Sequence, residues 1–214
     1  MEGREFNDSF IVKARQERER IEKTLHSDEV VAEELKQSIY DDVVTIFGIP
    51  VIFKEFDIIE DKAVIRMPSD FIARSDDEIA SVYFLGSKPQ YVFSNGYLNF
   101  MLAFHWTDSH IPEESVFDFL RFAKQAIERI GPKSRIIEEE RLQKDRQKIA
   151  ILQMIAQTIE SVNYNIMFFT VLEGRLLIGS LTFEQKYRKR LLPLALEIVK
   201  SFAIKKEEKE ETEG

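Results

Sequence analysis

The chain has no cysteine, and this absence removes several kinds of chemistry. Without a thiol, the protein forms no disulfide, holds no thiolate zinc site and has no cysteine nucleophile. Histidine is scarce as well, with three residues in 214. We therefore expect stability to come from hydrophobic packing, as is usual for proteins of a reducing cytosol.

Long apolar runs and an excess of positive charge are also missing. No stretch approaches the roughly 18 consecutive apolar residues of a membrane-spanning helix, and residues 1–20 lack the apolar core of a secretion signal. Acidic residues outnumber basic ones by 38 to 30, so the net charge is −8 and a nucleic-acid backbone would be repelled on average. The sequence predicts a cytoplasmic protein with no membrane span and no nucleic-acid partner.

The chain is rich in apolar residues, which make up 44% of the sequence and include 17 phenylalanines. A chain of 214 residues can bury a substantial core in one domain. The hydrophobic period changes from helical to strand-like near residue 49. We therefore predict a helical extension over 1–48, an α+β domain over 49–204 and a disordered charged tail over 205–214.

The extension is predicted to contain two helices of different character. Helix 9–26 has a narrow apolar seam, in which the large anchors are Ile11, Ile21 and Leu25 among many charges. It is interpreted either as a solvated arm or as a segment that pairs with a partner or a second copy. Helix 28–47 has a wider apolar stripe that can be buried against the domain.

Two hairpins carry apolar residues on both faces. Asn95-Gly96 predicts a two-residue turn that pairs Phe93 with Leu98, and Glu173-Gly174 predicts a turn that pairs Phe168 with Gly179. The second face carries these largely apolar residues: Tyr97, Met101, His105, Met167, Phe169 and Ile178. In an antiparallel sheet with one solvent-exposed face, apolar and polar residues alternate more regularly than they do here. Something is therefore expected to cover this face: the N-terminal helices, a second subunit or a partner.

Further elements follow from the same periodicities. Strands are predicted over 51–58, 63–67, 135–142 and 149–156, and helices after Ser75, from Pro112 to Gly131 and from about Pro193. Together with the hairpins, they indicate an antiparallel sheet flanked by helices. Phe117 lies off the apolar stripe of its helix, so it is either partly exposed or packed under another element, and it is kept as a candidate contact residue.

Motifs of catalysis and nucleotide binding are missing from the sequence. It contains no GxGxxG, no phosphate-binding loop ending in Lys-Ser or Lys-Thr, no HExxH and no GxSxG. His105, Trp106 and His110 could border a small-ligand or metal site, but a strand that runs out into a loop explains the same pattern. We therefore predict no enzymatic activity, no metal and no cofactor, with a site near these three residues as the alternative.

Several strings, in their order along the chain, resemble a known family. They are Met67-Pro68-Ser69-Asp70-Phe71, Lys88-Pro89-Gln90, Thr107-Asp108, Asn165 with Phe168-Phe169, Gly174-Arg175-Leu176-Leu177-Ile178-Gly179 and Lys200-Ser201-Phe202. Over residues 50–204, the chain resembles the bacterial branch of the Mog and PsbP superfamily. The resemblance implies an α/β/α sandwich without catalytic residues that binds other proteins. The Eag chaperones of type VI secretion, which are similar in fold, shield apolar segments of effectors.

The resulting expectation is a non-enzymatic adaptor or chaperone-like protein that covers an apolar segment of a partner protein. A self-associating structural subunit, such as a homodimer, is a further alternative. The candidate contact residues are Tyr97, Met101, His105, Met167, Phe169, Ile178, Phe117, Ile11, Ile21 and Leu25.

Overall fold

A seven-stranded antiparallel sheet forms the centre of the computed structural model, which describes residues 28–82, 88–95, 100–130, 134–144, 147–157 and 161–205. The helices are α1 Asp28–Glu34, α2 Asp76–Val82, α3 Val116–Ile130 and α4 Arg188–Ser201. The strands are β1 Val44–Ile46, β2 Ile49–Val51, β3 Phe53–Ile58, β4 Ala63–Pro68, β5 Ile72–Ala73, β6 Tyr91–Ser94, β7 Met101–His110, β8 Arg135–Lys144, β9 Gln147–Gln157, β10 Val162–Leu172, β11 Arg175–Glu184 and β12 Ala203–Ile204. The chain has the predicted α+β class.

The strand order in the large sheet is β5-β6-β7-β11-β10-β9-β8. Its inner face packs against α4, against the small sheet β12-β4-β3 and against the hairpin β1-β2. Its outer face is covered by α2 near one edge and by α3 near the other. At the centre of the inner core, the Phe168 ring lies 6.0 Å from that of Phe104 and 5.4 Å from that of Phe202, measured between centroids.

The predicted second hairpin is confirmed. Phe168 lies opposite Gly179 in the β10-β11 pair, and Glu173 and Gly174 both have positive φ angles, as a two-residue turn of this kind requires. The residues of β10 and β11 therefore point to the faces that the predicted register assigned to them. This hairpin was predictable because its signal is local: one turn sets the position of every side chain on both strands.

The predicted register of the first hairpin is wrong. Phe93 pairs with Leu102 instead of Leu98, so the connection between β6 and β7 is four residues longer than an Asn95-Gly96 turn allows. β7 also pairs with β11, where Leu102 lies opposite Leu181, and this pairing fixes the position of β7 in the sheet. A shift of four residues keeps each side chain on its predicted face. Residues 96–99, including Tyr97, lie outside the described residues.

The second predicted helix of the extension, 28–47, is wrong beyond Glu34. The chain instead forms the hairpin β1-β2 around Phe47 and Gly48, whose φ angles are 53° and 75°. Three β-branched residues, Val44 to Ile46, favour a strand here, and a two-residue turn with positive φ angles matches strand twist. Helix 9–26 and residues 206–214 of the tail lie outside the described residues.

Residues 28–51 are nevertheless an integral part of the packing. Ile39 and Val44 are fully buried in the inner core. The Glu197 carboxylate on α4 accepts hydrogen bonds from the Ser38 hydroxyl and the Ile39 amide, both at 2.8 Å. This segment is thus held against α4, and it does not cover the outer face of the sheet.

The final helix begins earlier than predicted. It starts at Arg188, and Pro193 lies inside it instead of near its first residue. The proline ring removes one backbone hydrogen bond, but the helix retains a buried apolar side that includes Leu191, Leu194 and Ile198. Packing against the sheet therefore outweighs the local effect of the proline.

Glu113 supplies a pH-dependent test of the loop before α3. Its carboxylate accepts a hydrogen bond from the backbone amide of Lys148, but burial, the larger effect, raises the pKa of Glu113 above its ordinary value of 4.5. Between pH 4.5 and the raised pKa, the folded state binds more protons than the unfolded state, so this group lowers stability as pH rises. We expect Glu113→Gln to remove this decrease of stability with rising pH.

The measurement is the free energy of unfolding in urea for both proteins from about pH 4 to pH 7. The variant minus wild-type difference should increase with pH across the titration of Glu113, because the other carboxylates cancel in the difference. A difference that is flat with pH would mean that Glu113 titrates at the same pKa in the folded and unfolded chains.

Candidate functional site

The outer face of the sheet has a shallow groove between α2 and α3. Its floor is formed where β7 and β11 run side by side, with Ala103 opposite Ser180 and His105 opposite Ile178. Met167 on β10 lies opposite Ser180 from the other side. The groove contains a cavity of about 120 Å³. The lining residues are Pro89, Ala103, Phe104, His105, Met167, Ile178 and Ser180.

The groove exists because the two helices cover separate strips of the sheet. Ile79 of α2 packs on Val92 and Ala103, which belong to β6 and β7. Val116 and Leu120 of α3 pack on an apolar cluster contributed by β9, β10 and β11. Between these strips, the side chains of Ala103 and Ser180 are too short to fill the space above the floor.

The chemistry of the lining is apolar and nearly uncharged. His105 is the one ionisable side chain among the lining residues, and its Nδ1 lies 3.1 Å from the Lys88 carbonyl oxygen. Met167 and Ile178 remain partly accessible beside it. Methionine adapts to varied shapes because its thioether side chain is unbranched and flexible. Such a lining binds apolar groups without demanding one fixed outline.

Three of the predicted contact residues meet in this groove: His105, Met167 and Ile178. Met101 lies on the same face and packs against the cluster around Ile79. Sequence reasoning placed these side chains correctly because strand alternation determines the face of each residue. Pro89, Ala103 and Ser180 were not selected as site residues. The small size of Ala103 and Ser180 on an otherwise large-residue face was the signal that could have identified them.

Two predicted contact residues lie elsewhere. Phe169 is 1% exposed, and its ring lies 5.3 Å from that of Phe119 on α3, so its selection as an accessible contact was wrong. Phe117 is half-buried in the first turn of α3, with the cations of Arg141 and Lys148 each 5.7 Å from its ring. Tyr97, Ile11, Ile21 and Leu25 lie outside the described residues.

The alternative site near His105, Trp106 and His110 is not assembled. Trp106 projects to the inner face, donates its indole N–H to the Leu172 carbonyl oxygen at 3.1 Å, and has the Arg175 guanidinium 4.2 Å from its ring. His110 is exposed at the end of β7. Successive residues of a strand point to opposite faces, so the side chains of His105 and Trp106 diverge.

Within the described ranges, no three His, Asp or Glu side chains are grouped so that they could hold a metal ion. Among the described helices, none is both long and apolar enough to cross a membrane.

Comparisons with known proteins support the fold. No family model matches the chain, and no curated protein matches it. The solution structure of cyanobacterial PsbP (CyanoP) from Synechocystis sp. PCC 6803 is similar, with a TM-score of 0.53 and 16% sequence identity over 72% of this chain and 92% of that one. The fold is therefore PsbP-like.

Two further solved structures are similar at lower scores. One is a Pseudomonas aeruginosa protein of unknown function, PA94, described as a putative regulator, with a TM-score of 0.43 and 10% identity over 72% of this chain and 97% of that one. The other is a protein from Bacteroides thetaiotaomicron VPI-5482, with a TM-score of 0.42 and 12% identity over 72% of this chain and 49% of that one.

Proposed function

We propose that the protein is a non-enzymatic adaptor or chaperone-like module that holds an apolar side chain of a partner protein in the outer-face groove. The observation that carries the proposal is the grouping of Met167, Ile178 and Ala103 around a cavity that α2 and α3 leave uncovered. The Mog and PsbP resemblance in the sequence supports the same role. A cytoplasmic location stays a prediction from the sequence.

The size of the cavity suits one large apolar group. An apolar cavity of about 150 Å³ can hold a benzene molecule, and the groove contains about 120 Å³. A leucine, methionine or phenylalanine side chain of the partner would therefore fill it. The chemistry of the lining also suits an apolar group, because His105 is the one lining residue with an ionisable side chain.

One apolar side chain in the cavity does not account for a stable complex. Burial of a large apolar side chain contributes about 1.5–3 kcal/mol, whereas a dissociation constant of about 1 µM corresponds to about 8 kcal/mol. The partner segment is therefore expected to continue along the groove between α2 and α3, where it contacts the helices as well as the sheet.

Filling the groove should abolish partner binding without unfolding the protein. Ser180→Trp places an indole in the cavity, and Ser109→Trp adds the same group at an exposed position of β7, near the end of the strand. Wild-type protein and both variants are used to capture proteins from the source cell, and quantitative mass spectrometry compares the captured sets. We expect a partner that wild type and Ser109→Trp retain and that Ser180→Trp loses by about tenfold or more.

The melting temperature of each variant is measured alongside. Ser180→Trp should remain folded, because the groove is open to solvent. If Ser180→Trp captures the same proteins as wild type in equal amounts, the groove is not the binding site. If it is unfolded, Ile178→Asp provides the second test, because it makes the lining polar without adding volume.

A further inference from the structure

Among the described strands, one edge of β8 is left open. β8 spans ten residues, Arg135–Lys144, and is the last strand of the seven-stranded sheet, whose opposite edge is the two-residue strand β5. Within the described residues, β8 pairs with β9 on one side and with no strand on the other. Unpaired amide and carbonyl groups on a long edge are a template for a further strand.

Charged side chains often protect such an edge, but three of those on β8 make contacts within the chain. Glu139 binds Lys124 of α3 at 2.9 Å, and Glu140 binds Lys200 of α4 at 2.8 Å. The Lys144 ammonium donates to backbone carbonyl oxygens of Lys200 and Phe202 near the end of α4. These contacts hold the three side chains toward the two faces of the sheet, so they do not cover the backbone groups of the edge.

The sequence of the edge is complementary to itself in antiparallel orientation. When two copies of β8 are aligned about a twofold axis at Glu140, Glu139 of each strand lies opposite Arg141 of the other. Opposite charges on directly facing residues stabilise an antiparallel pair. The two Glu140 carboxylates meet at the axis, where each already has a lysine partner in its own chain. Arg141 is exposed, and its guanidinium lies 5.7 Å from the ring of Phe117.

We propose that β8 pairs with β8 of a second copy of this chain, which makes an antiparallel sheet continuous across a homodimer. The interface is isologous, so each favourable contact occurs twice. The groove lies over β7 and β11, away from this edge, and remains open in each copy. The dimer is independent of the proposed binding function.

Sedimentation velocity of the full chain tests the dimer directly. Wild type is expected to show twice the 25.1 kDa mass of one chain at high concentration, and to dissociate on dilution between about 100 and 1 µM. Arg141→Glu sets two acidic residues opposite each other at two places, and should weaken the dimer by about tenfold or more. Lys54→Glu makes the same change of charge on the exposed edge strand β3 and should have no effect.

Exchange of the charges gives the decisive variant. Glu139→Arg combined with Arg141→Glu restores opposite charges across the twofold axis, so it should regain dimerisation that Arg141→Glu alone loses. A wild-type chain that stays monomeric over the whole range would overturn the proposal. So would an Arg141→Glu variant as dimeric as wild type, or a double variant no better than the single one. Circular dichroism confirms that each variant is folded before its mass is compared.

Discussion

Replacing Glu34 by alanine is expected to lower the free energy of unfolding by about 3–5 kcal/mol, because it breaks a buried ion pair with Arg190. The two carboxylate oxygens of Glu34 bind Nε and Nη2 of Arg190, both at 2.5 Å. The side chains are 7% and 5% exposed. The Arg190 guanidinium also lies 4.5 Å from the ring of Phe47.

The pair joins α1 to the first turn of α4, so its loss should loosen the whole segment before β3. Urea unfolding followed by circular dichroism measures the change. Glu33→Ala is the matched control: Glu33 is the preceding residue of α1, has the same side chain and is exposed, so its removal should change stability by less than about 0.5 kcal/mol. Equal stability of the two variants would show that the ion pair contributes no more than a surface glutamate.

A double substitution separates the ion pair from the packing. Glu34→Leu with Arg190→Met replaces both charges by apolar side chains, and it should cost less than either single change because no charge is left buried. If the double variant is as unstable as the sum of the singles, the loss arises from packing around Phe47 and not from breaking the ion pair.

The local signals in the sequence predicted much of the outer face. Strand alternation placed Met167 and Ile178 on one side of the hairpin, and the Glu173-Gly174 turn determined which residues face each other. The groove itself depends on where α2 and α3 lie, and that is decided by packing between elements distant in sequence. For that reason Phe169, identical in pattern to Met167, is buried by Phe119, whereas Met167 lines the cavity.

The errors in the prediction have the same origin. Asn95-Gly96 predicted a tight turn, but the pairing of β7 with β11 fixes a different register. The spacing of apolar residues over 28–47 was compatible with a helix and equally with buried strand residues. Ile39 is buried in both interpretations, so hydrophobicity at this position did not distinguish them. The turn gave only a weak signal in the sequence, because Gly48 tolerates its positive φ angle but a phenylalanine such as Phe47 rarely adopts one.

Replacing Gly179 by alanine is expected to destabilise the protein by about 3 kcal/mol or more, because the site has no room for a methyl group. A Cβ atom built on Gly179 would lie 2.0 Å from Cζ and 2.1 Å from Cε1 of Phe168, the residue opposite it on β10. The Phe168 ring is fully buried and cannot move away, since Phe104 and Phe202 pack against it. Thermal and urea unfolding measure the loss.

The neighbouring residue supplies the control for this change. Ser180→Ala alters the next position of β11 on the opposite face, where the groove is open, and should change stability by less than about 1 kcal/mol. A double-mutant cycle then identifies the cause. Phe168→Ala alone should cost about 3–5 kcal/mol through the cavity that it leaves, but adding Gly179→Ala to it should cost little more, because the ring that clashed is gone. If the two losses of stability simply add, the clash with Phe168 does not explain the effect of Gly179→Ala. The cause would then lie in the backbone of β11.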